Sequence, residues 1–313
     1  MTSTTIVTMF FNLKNLRDAS IHTRPQEFYI ENGRETLKLK YNMIIFCDIS
    51  TYDFLKKIRD EEVDSNIIKT KYYVKSITDY EYYQNNWEII YNNRLKSNGY
   101  KNPDDRNTVS YFLMGMFKPL ALLIAKKEKY FNSTHYAWID LGCNHIVRNL
   151  SEYAPKMLDN PNDKISACYI HYRSENEIKD MKSYMEYGGK CGIASTAYTV
   201  HTDYIERYYT SMFSIFYEML FTGYGHTDET VMVYCHQRYP ELFNIYYGDY
   251  YSIFTNYHEP LEDYQSIKNY FIIQCLNKNR KDLALLCAES ILKAYQNNNI
   301  ILDLEEVSFL LNI

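Results

Sequence analysis

The stretch KPLALLIAKKEKYFNSTHYAWIDLGCNH, residues 118–145, decides the fold. It reads as the tail of an amphipathic helix, a short polar connection, and an apolar run from His135 to Ile139 that stops on an acid, Asp140, with Gly142 close behind. Helix, loop, buried strand and carboxylate in that order are the signature of an α/β sheet. In open sheets of that kind ligands sit beyond the carboxyl ends of the strands, so Asp140 is placed to hold a cation or a sugar. The plainer alternative is that Asp140 only caps the next turn.

Upstream, Val109, Phe112, Leu113, Met116, Phe117, Leu120, Leu123 and Ile124 recur at helical spacing and form one buried stripe. Pro119 inside that stripe opposes the carbonyl of Gly115, and a kink near Lys118 is expected. The kink would aim Lys118 at the sheet edge; the alternative is a lysine that snorkels to the surface. Earlier still, Thr5 to Phe11 and Asn42 to Cys47 are continuous apolar runs of the kind found in parallel strands buried on both faces. Between them, Arg17 to Arg34 reads as a loop or short helix with a turn at Asn32-Gly33. Tyr52 to Arg59 has helical spacing, Ile67 to Val74 strand character, and Thr78 to Lys96 is a polar helix with one apolar face. This order favours a doubly wound α/β domain.

Downstream, after a turn at Asn102 to Asp105 has delivered the chain into the long helix, strands are expected at Ile165 to Tyr172 and Cys191 to Thr196. A charged helix, Glu175 to Tyr187, and Gly188-Gly189 lie between those two strands. Thr202 to Leu220 is a long aromatic helix, a further helix starts at Thr227 with Asp228 and Glu229 in its first turn, and Phe243 to Tyr247 is a strand closed by Gly248-Asp249. Acids in a first turn commonly do no more than complement the helix dipole. From Leu261 the pattern changes to amphipathic helices with no strand between them, at Tyr264 to Leu276, Lys281 to Tyr295 and Leu304 to Leu311. Residues 1–260 therefore read as one domain and 261–313 as a helical C-terminal extension.

With 313 residues, 46% of them hydrophobic and 23% charged, the chain has enough apolar surface for a substantial core. A net charge of -5 argues against a dedicated nucleic-acid partner, which needs a basic face. The seven cysteines are odd in number and never in CxxC spacing, so they read as buried thiols of a cytoplasmic protein. The N-terminus lacks the basic region and cleavage site of a secretory signal, and no apolar run reaches the roughly 18 residues of a transmembrane segment.

The motifs GxxxxGK[ST], GxSxG and HExxH are absent, as is GxGxxG after the first strand. The histidines 145, 171, 201, 226 and 258 are scattered. What remains are acids at strand ends, Asp48, Asp140 and Asp249, the pair Asp228 and Glu229, and Arg59, Arg106 and Lys118 as cationic counterparts. Mn2+ or Mg2+ held by one or two carboxylates, with a diphosphate supplying further oxygens, would use such a set. Glycosyl transfer would use such a set, because the departing diphosphate must be neutralised and the cationic anomeric centre steadied.

TIVTMFFNL (5–13), YIENGRETLKLKYNMIIFCD (29–48), KPLALLIA (118–125) with NSTHYAWIDLG (132–142), and TDET (227–230) with LFNIYYGDY (242–250) resemble the WlaTC/HtrL (HtrL/YibB) family of glycosyltransferases over about residues 4–258. The order of arginine, lysine-bearing helix, strand and acid is similar, more distantly, to glycogenin-like transferases. The resemblance implies a GT-A-like α/β fold, a central mixed sheet flanked by helices, a nucleotide-sugar donor such as a UDP-sugar, and a Mn2+ or Mg2+ ion. By the same resemblance Asp140 is the first acid of a metal-binding DxD motif, Lys118 and Arg106 are donor-binding cations, and Thr8, Phe10 and Asn12 belong to the strand edge that receives base and ribose. Asp228, with Glu229 beside it, faces the transferred sugar or the acceptor. The sequence departs from DxD at Gly142, where the second acid would be, so the implied metal needs further ligands, for which Asp249 and His258 are the candidates. That departure also leaves open a GT-A-like binding or scaffold protein without transfer chemistry. Nucleotidyl transfer ranks last, because residues 11–16 offer no glycine-rich loop.

Overall fold

A computed structural model describes residues 3–96, 108–186, 192–223, 227–260 and 264–313. The described chain is built on a seven-stranded sheet. Its strands are β1 (Thr4–Phe10), β2 (Met43–Cys47), β3 (Thr70–Val74), β4 (His135–Ile139), β5 (Ile165–Tyr169), β6 (Ile193–His201) and β7 (Phe243–Tyr247), in the spatial order β3-β2-β1-β4-β6-β5-β7. β6 runs antiparallel to both its neighbours, and every other pairing is parallel. The sheet is therefore mixed and helix-flanked, as the family resemblance implied. The chain winds outward from β1 to β3, then returns to place β4 on the other side of β1. Order reverses between β1 and β4.

Alternation along β1 separates two cores. Val7, Met9 and Phe11 join a cluster on one face, while Ile6 and Phe10 join the cluster on the other. The second face is covered by α1 (Gln26–Lys38), α2 (Ile49–Glu62) and, beyond β4, the helix Leu150–Asp159. The first is covered by α3 (Glu81–Lys96) and α4 (Val109–Glu128), and further along the chain by the helices Ile205–Phe221 and Asp228–Arg238.

Several expectations change here. The segment read as a loop or short helix is the 13-residue α1, and Asn32-Gly33 lies inside it, not at a turn. Gly33 is there for packing: a Cβ would meet Leu141 Cγ at 2.8 Å. α4 runs on through Pro119 to Glu128, unbroken. By length and composition α4 is apolar enough to cross a membrane, which no stretch of sequence was expected to be, but most of it is buried between the sheet and its neighbours. β6 continues to His201 beyond the expected Thr196, because Ala197 to Val200 pair with β4. The charged helix is two short pieces, Glu175–Ile178 and Met181–Glu186. Arg106, Cys191, His226, the turn at 102–105, Gly188 and Gly189 lie outside the described residues.

The C-terminal helices do not stand apart from the sheet. Tyr264–Ile267, a π-helical turn Lys268–Ile272 and Ile273–Asn277 run on to Lys281–Gln296 and Leu304–Leu311. Phe271 stacks its edge against Tyr169 of β5 and its tilted ring against Tyr247 of β7, with centroids 5.0 and 4.6 Å apart. Ile272 and Cys275 belong to the same continuous core as α4.

Candidate active site

A cavity of about 400 Å³ opens beyond the carboxyl ends of β1 and β4. That is the position where order in the sheet reverses, and the two connections leaving adjacent strands in opposite directions open a crevice there. Its walls come from the residues after β1, from the turn after β4, from one face of α4, and from the start of the helix Asp228–Arg238.

At the floor is a buried ion cluster. Lys118, 6% exposed, places Nζ 3.0 Å from Asp140 Oδ1, 3.0 Å from Asp228 Oδ2, 3.0 Å from Ser195 Oγ and 3.1 Å from the Ser195 carbonyl. Its three N–H donors go to Asp140 Oδ2 at 3.2 Å, Ser195 Oγ and the Ser195 carbonyl, while the contact with Asp228 Oδ2 is ionic, so the ammonium is saturated by protein. Burial works against its charge, but Asp140 and Asp228 override that and hold its pKa above the ordinary lysine value. Asp140 moves upward as well, because burial and the neighbouring Asp228 outweigh the pull of Lys118. Trp138 Nε1 donates to Asp140 Oδ1 at 2.7 Å and fixes the carboxylate from the strand side. The alternation of β4 makes this possible, since residues 138 and 140 point to one face.

The turn that carries Asp140 is clamped by α1. Thr36 Oγ1 donates to the Leu141 carbonyl at 3.0 Å, and a Cβ on Gly142 would sit 3.0 Å from the ring of Tyr29. The place of a second DxD acid is thus occupied by an aromatic wall. On α4, a Cβ on Gly115 would fall 2.6 Å from Asp228 Oδ1, so the bare glycine admits the carboxylate to the cluster.

One side wall carries Glu229, whose Oε1 accepts from the Ser195 backbone N–H at 3.2 Å and whose Oε2 accepts from Tyr250 Oη at 2.7 Å. The opposite wall carries Tyr29, Phe10, Arg24 and His145. The rings of Phe10 and Tyr29 lie 5.7 Å apart. Arg24 Nη1 is 2.7 Å from His145 Nε2, and His145 Nδ1 donates to the Gly142 carbonyl at 2.5 Å, so Nε2 is the acceptor. Burial, with the Arg24 charge adding to it, lowers the pKa of His145.

The structure brings Phe10, Asn12, Lys118, Asp140, Gly142, Asp228 and Glu229 to this one cavity. Thr8 is not there: it is fully buried in β1 among core residues. Arg59 is also elsewhere, a fully buried residue of α2. Asp48 serves the cavity only indirectly, accepting from the Asn12 N–H at 2.8 Å. Asp249 closes the turn after β7, its Oδ1 accepting from the N–H groups of Tyr251 and Ser252 at 2.9 Å each. His258 sits 3.3 Å from the Lys156 carbonyl. Tyr250 lines the cavity but Asp249 and His258 do not, so those two do not join Asp140 there. Among the described residues no group of three His, Cys, Asp or Glu side chains is arranged to hold a metal ion. Between Asp140 and Asp228 stands the ammonium of Lys118, so this donor set does not fit the implied Mn2+ or Mg2+.

Arg24, Tyr29, His145, Ser195 and Tyr250 escaped the sequence reading. Arg24 and Tyr29 lie around the start of α1 in a segment read as a loop or short helix, and Ser195 is an ordinary strand residue until β6 is paired with β4. Only His145 stood close to Asp140 in sequence.

Fold and site together define an α/β protein with a cavity at the reversal point of a mixed sheet. The sequence profile of a family described as "Bacterial protein of unknown function (HtrL_YibB)" matches residues 2–259, and the chain belongs to that family. No curated protein matches the chain. Among solved structures, mouse xyloside xylosyltransferase 1 in its apo form is similar at 12% identity and a TM-score of 0.45, over 78% of this chain and 85% of that one. A glycosyltransferase involved in glycosylation of the major capsid of PBCV-1 is similar at 12% identity and a TM-score of 0.38, over 79% and 81%. So is 4-diphosphocytidyl-2C-methyl-D-erythritol synthase from Anaerococcus prevotii, at 12% identity and a TM-score of 0.38, over 80% and 90%.

Proposed function

We infer that the protein transfers a glycosyl group from a nucleoside diphosphate sugar to an acceptor hydroxyl. The observation that supports this reading is the convergence, at the carboxyl ends of β1 and β4, of an aromatic wall, an arginine and three carboxylates around one cavity. The family resemblance carried by residues 118–142 points the same way and suggests a UDP-sugar.

In this reading Phe10 and Tyr29 receive the base, and Asn12 meets the ribose side. Asp140, the acid of the floor that is most open to the cavity, steadies positive charge at the anomeric carbon. The acceptor oxygen attacks that carbon, the bond from the carbon to the diphosphate oxygen breaks, and the nucleoside diphosphate leaves. The acceptor proton passes to Glu229, which Tyr250 and the Ser195 N–H hold in place. Asp228 works through Lys118 and is a positioning residue. No step runs through a metal ion.

The test is a panel of nucleotide sugars, read for donor hydrolysis and for thermal stabilisation by the matching nucleotide, with and without Mn2+. One donor is expected to be hydrolysed and its nucleotide to raise Tm, with Asp140→Ala removing both effects. A rival reading, a binding protein without transfer chemistry, is favoured by Gly142 and the Tyr29 ring beside it. Stabilisation by a nucleotide with no turnover of any donor would establish that rival.

A further inference from the structure

The ion cluster and the Arg24 wall divide the site's positive charge into two kinds. Lys118 is committed: its ammonium lies among Asp140, Asp228 and Ser195 and has no donor left for a ligand. Arg24 is not committed in that way. Its partners are His145 Nε2 at 2.7 Å and the face of Phe28, 4.6 Å from the ring centroid, and no carboxylate pairs with it among the described residues. A guanidinium that lines a cavity, held by a neutral acceptor and a ring, keeps most of its N–H groups and all of its charge for an anion.

Among the described residues no third His, Cys, Asp or Glu joins Asp140 and Asp228 as a ligand group for a divalent ion, and the position between these two floor acids is filled by an ammonium. The usual need for that ion is to neutralise a departing diphosphate. Here a fixed cation offsets one of the two floor acids that would repel a diphosphate, and a second cation faces the open space.

Resting on the donor reading above, we propose that this site binds the nucleoside diphosphate group without a divalent metal, Arg24 contacting the diphosphate and Lys118 holding Asp140 and Asp228 in place of a metal. His145 is the positioning residue for Arg24. Its Nδ1–H is anchored on Gly142, which leaves Nε2 only the acceptor role, and that orients the guanidinium toward the cavity. Loss of the second DxD acid then follows physically: with no ion to hold, position 142 can be a glycine against Tyr29.

Isothermal titration of the full chain with UDP, GDP, CDP and ADP, in EDTA and again with Mn2+ or Mg2+, tests this. At least one of these nucleotides is expected to bind in EDTA with a Kd that the metal changes by less than about twofold. Arg24→Ala should weaken that metal-free binding by roughly 10- to 100-fold, the range for losing hydrogen bonds to a charged group. Arg24→Lys should restore part of it, because a point charge replaces a two-pronged donor. His145→Phe, which keeps the ring packing, should weaken binding less than Arg24→Ala. Circular dichroism checks that each variant is folded. Binding that appears only with a divalent ion would overturn the proposal and leave the donor reading standing. An unchanged Kd in folded Arg24→Ala would overturn the role of Arg24. No binding of any of the four nucleotides under either condition would overturn the proposal and the donor reading together.

Discussion

Arg59 and Lys118 are both cations withdrawn from water, and they are accommodated by opposite means. Arg59, fully buried, donates Nη1 to the carbonyls of Leu37 and Leu39 at 2.5 and 2.6 Å, Nη2 to that of Tyr41 at 2.6 Å, and Nε to Thr70 Oγ1 at 3.0 Å. These acceptors are neutral, and they belong to the end of α1, the loop into β2, and β3. The guanidinium ties the loop to the sheet and does not line the cavity beyond β1 and β4. Lys118 instead has two carboxylates within 3.0 Å, and one of them, Asp140, opens onto the cavity. A buried cation among carbonyls holds a fold together. One set between acids at the reversal point of a sheet makes a polarised floor for chemistry. In sequence the two residues looked like equivalent counterparts.

The largest difference is expected on removing Lys118. Lys118→Met would leave Asp140 and Asp228 facing each other in a buried place, at a cost of about 3–5 kcal/mol in chemical denaturation. Adding Asp228→Asn should recover much of that stability by removing one of the two charges. If the double variant is no more stable than the single one, the floor is not held by the ion cluster and the contrast with Arg59 fails.

Arg59→Met should destabilise by about 2–4 kcal/mol, because buried carbonyls lose their donors. Nucleotide binding by the folded protein should stay within about twofold of wild type, since no acceptor of Arg59 lines the cavity. A large loss of affinity with stability preserved would move Arg59 from scaffold to site.

The smallest effect is the pH dependence on the alkaline side, where the two cations carry opposite signs. The folded pKa of Lys118 lies above the ordinary 10.5, so its contribution is complete below that pH. As pH rises past it the unfolded chain gives up a proton that the folded chain keeps, and stability falls. Burial pushes Arg59 down to about 10 from 12.5, with Tyr72 opposing, so above that value the unfolded chain holds more proton and the Arg59 contribution rises. Denaturation of wild type, Lys118→Met and Arg59→Met between pH 9 and 11 should show the first pair converging and the second diverging. Parallel curves would remove the distinction.

Much of the scaffold was legible in the chain because it is set by local pattern. The five-residue run His135–Ile139, the stripe of α4 and the strand Phe243–Tyr247 were bounded by their own apolar residues and the turn chemistry beside them. α1 was not, because Asn32-Gly33 carries a turn signal and the need for a glycine there comes from Leu141, over a hundred residues away in sequence. The C-terminal helices read as an extension since amphipathic periodicity shows that a face is apolar, not what it will cover. Phe271 covers Tyr169 and Tyr247.

The sequence by itself determined that an acid ends a buried strand at Asp140, that Lys118 lies on the helix before it, and that Asp228 and Glu229 open another helix. Each of these depends only on neighbours in the chain and on the periods of helix and strand. Only the tertiary structure decided which charges meet. Strand order put β4 beside β1 and Lys118 met Asp140 and Asp228, while the turn after β7 sent Tyr250 to the cavity and left Asp249 and His258 with other partners. The packing of α1 delivered Tyr29 to Gly142, and the segment before it brought Arg24 to His145. Coulomb attraction and hydrogen bonding act over a few ångströms, and the distance between two side chains is set by topology, which local periodicity does not encode.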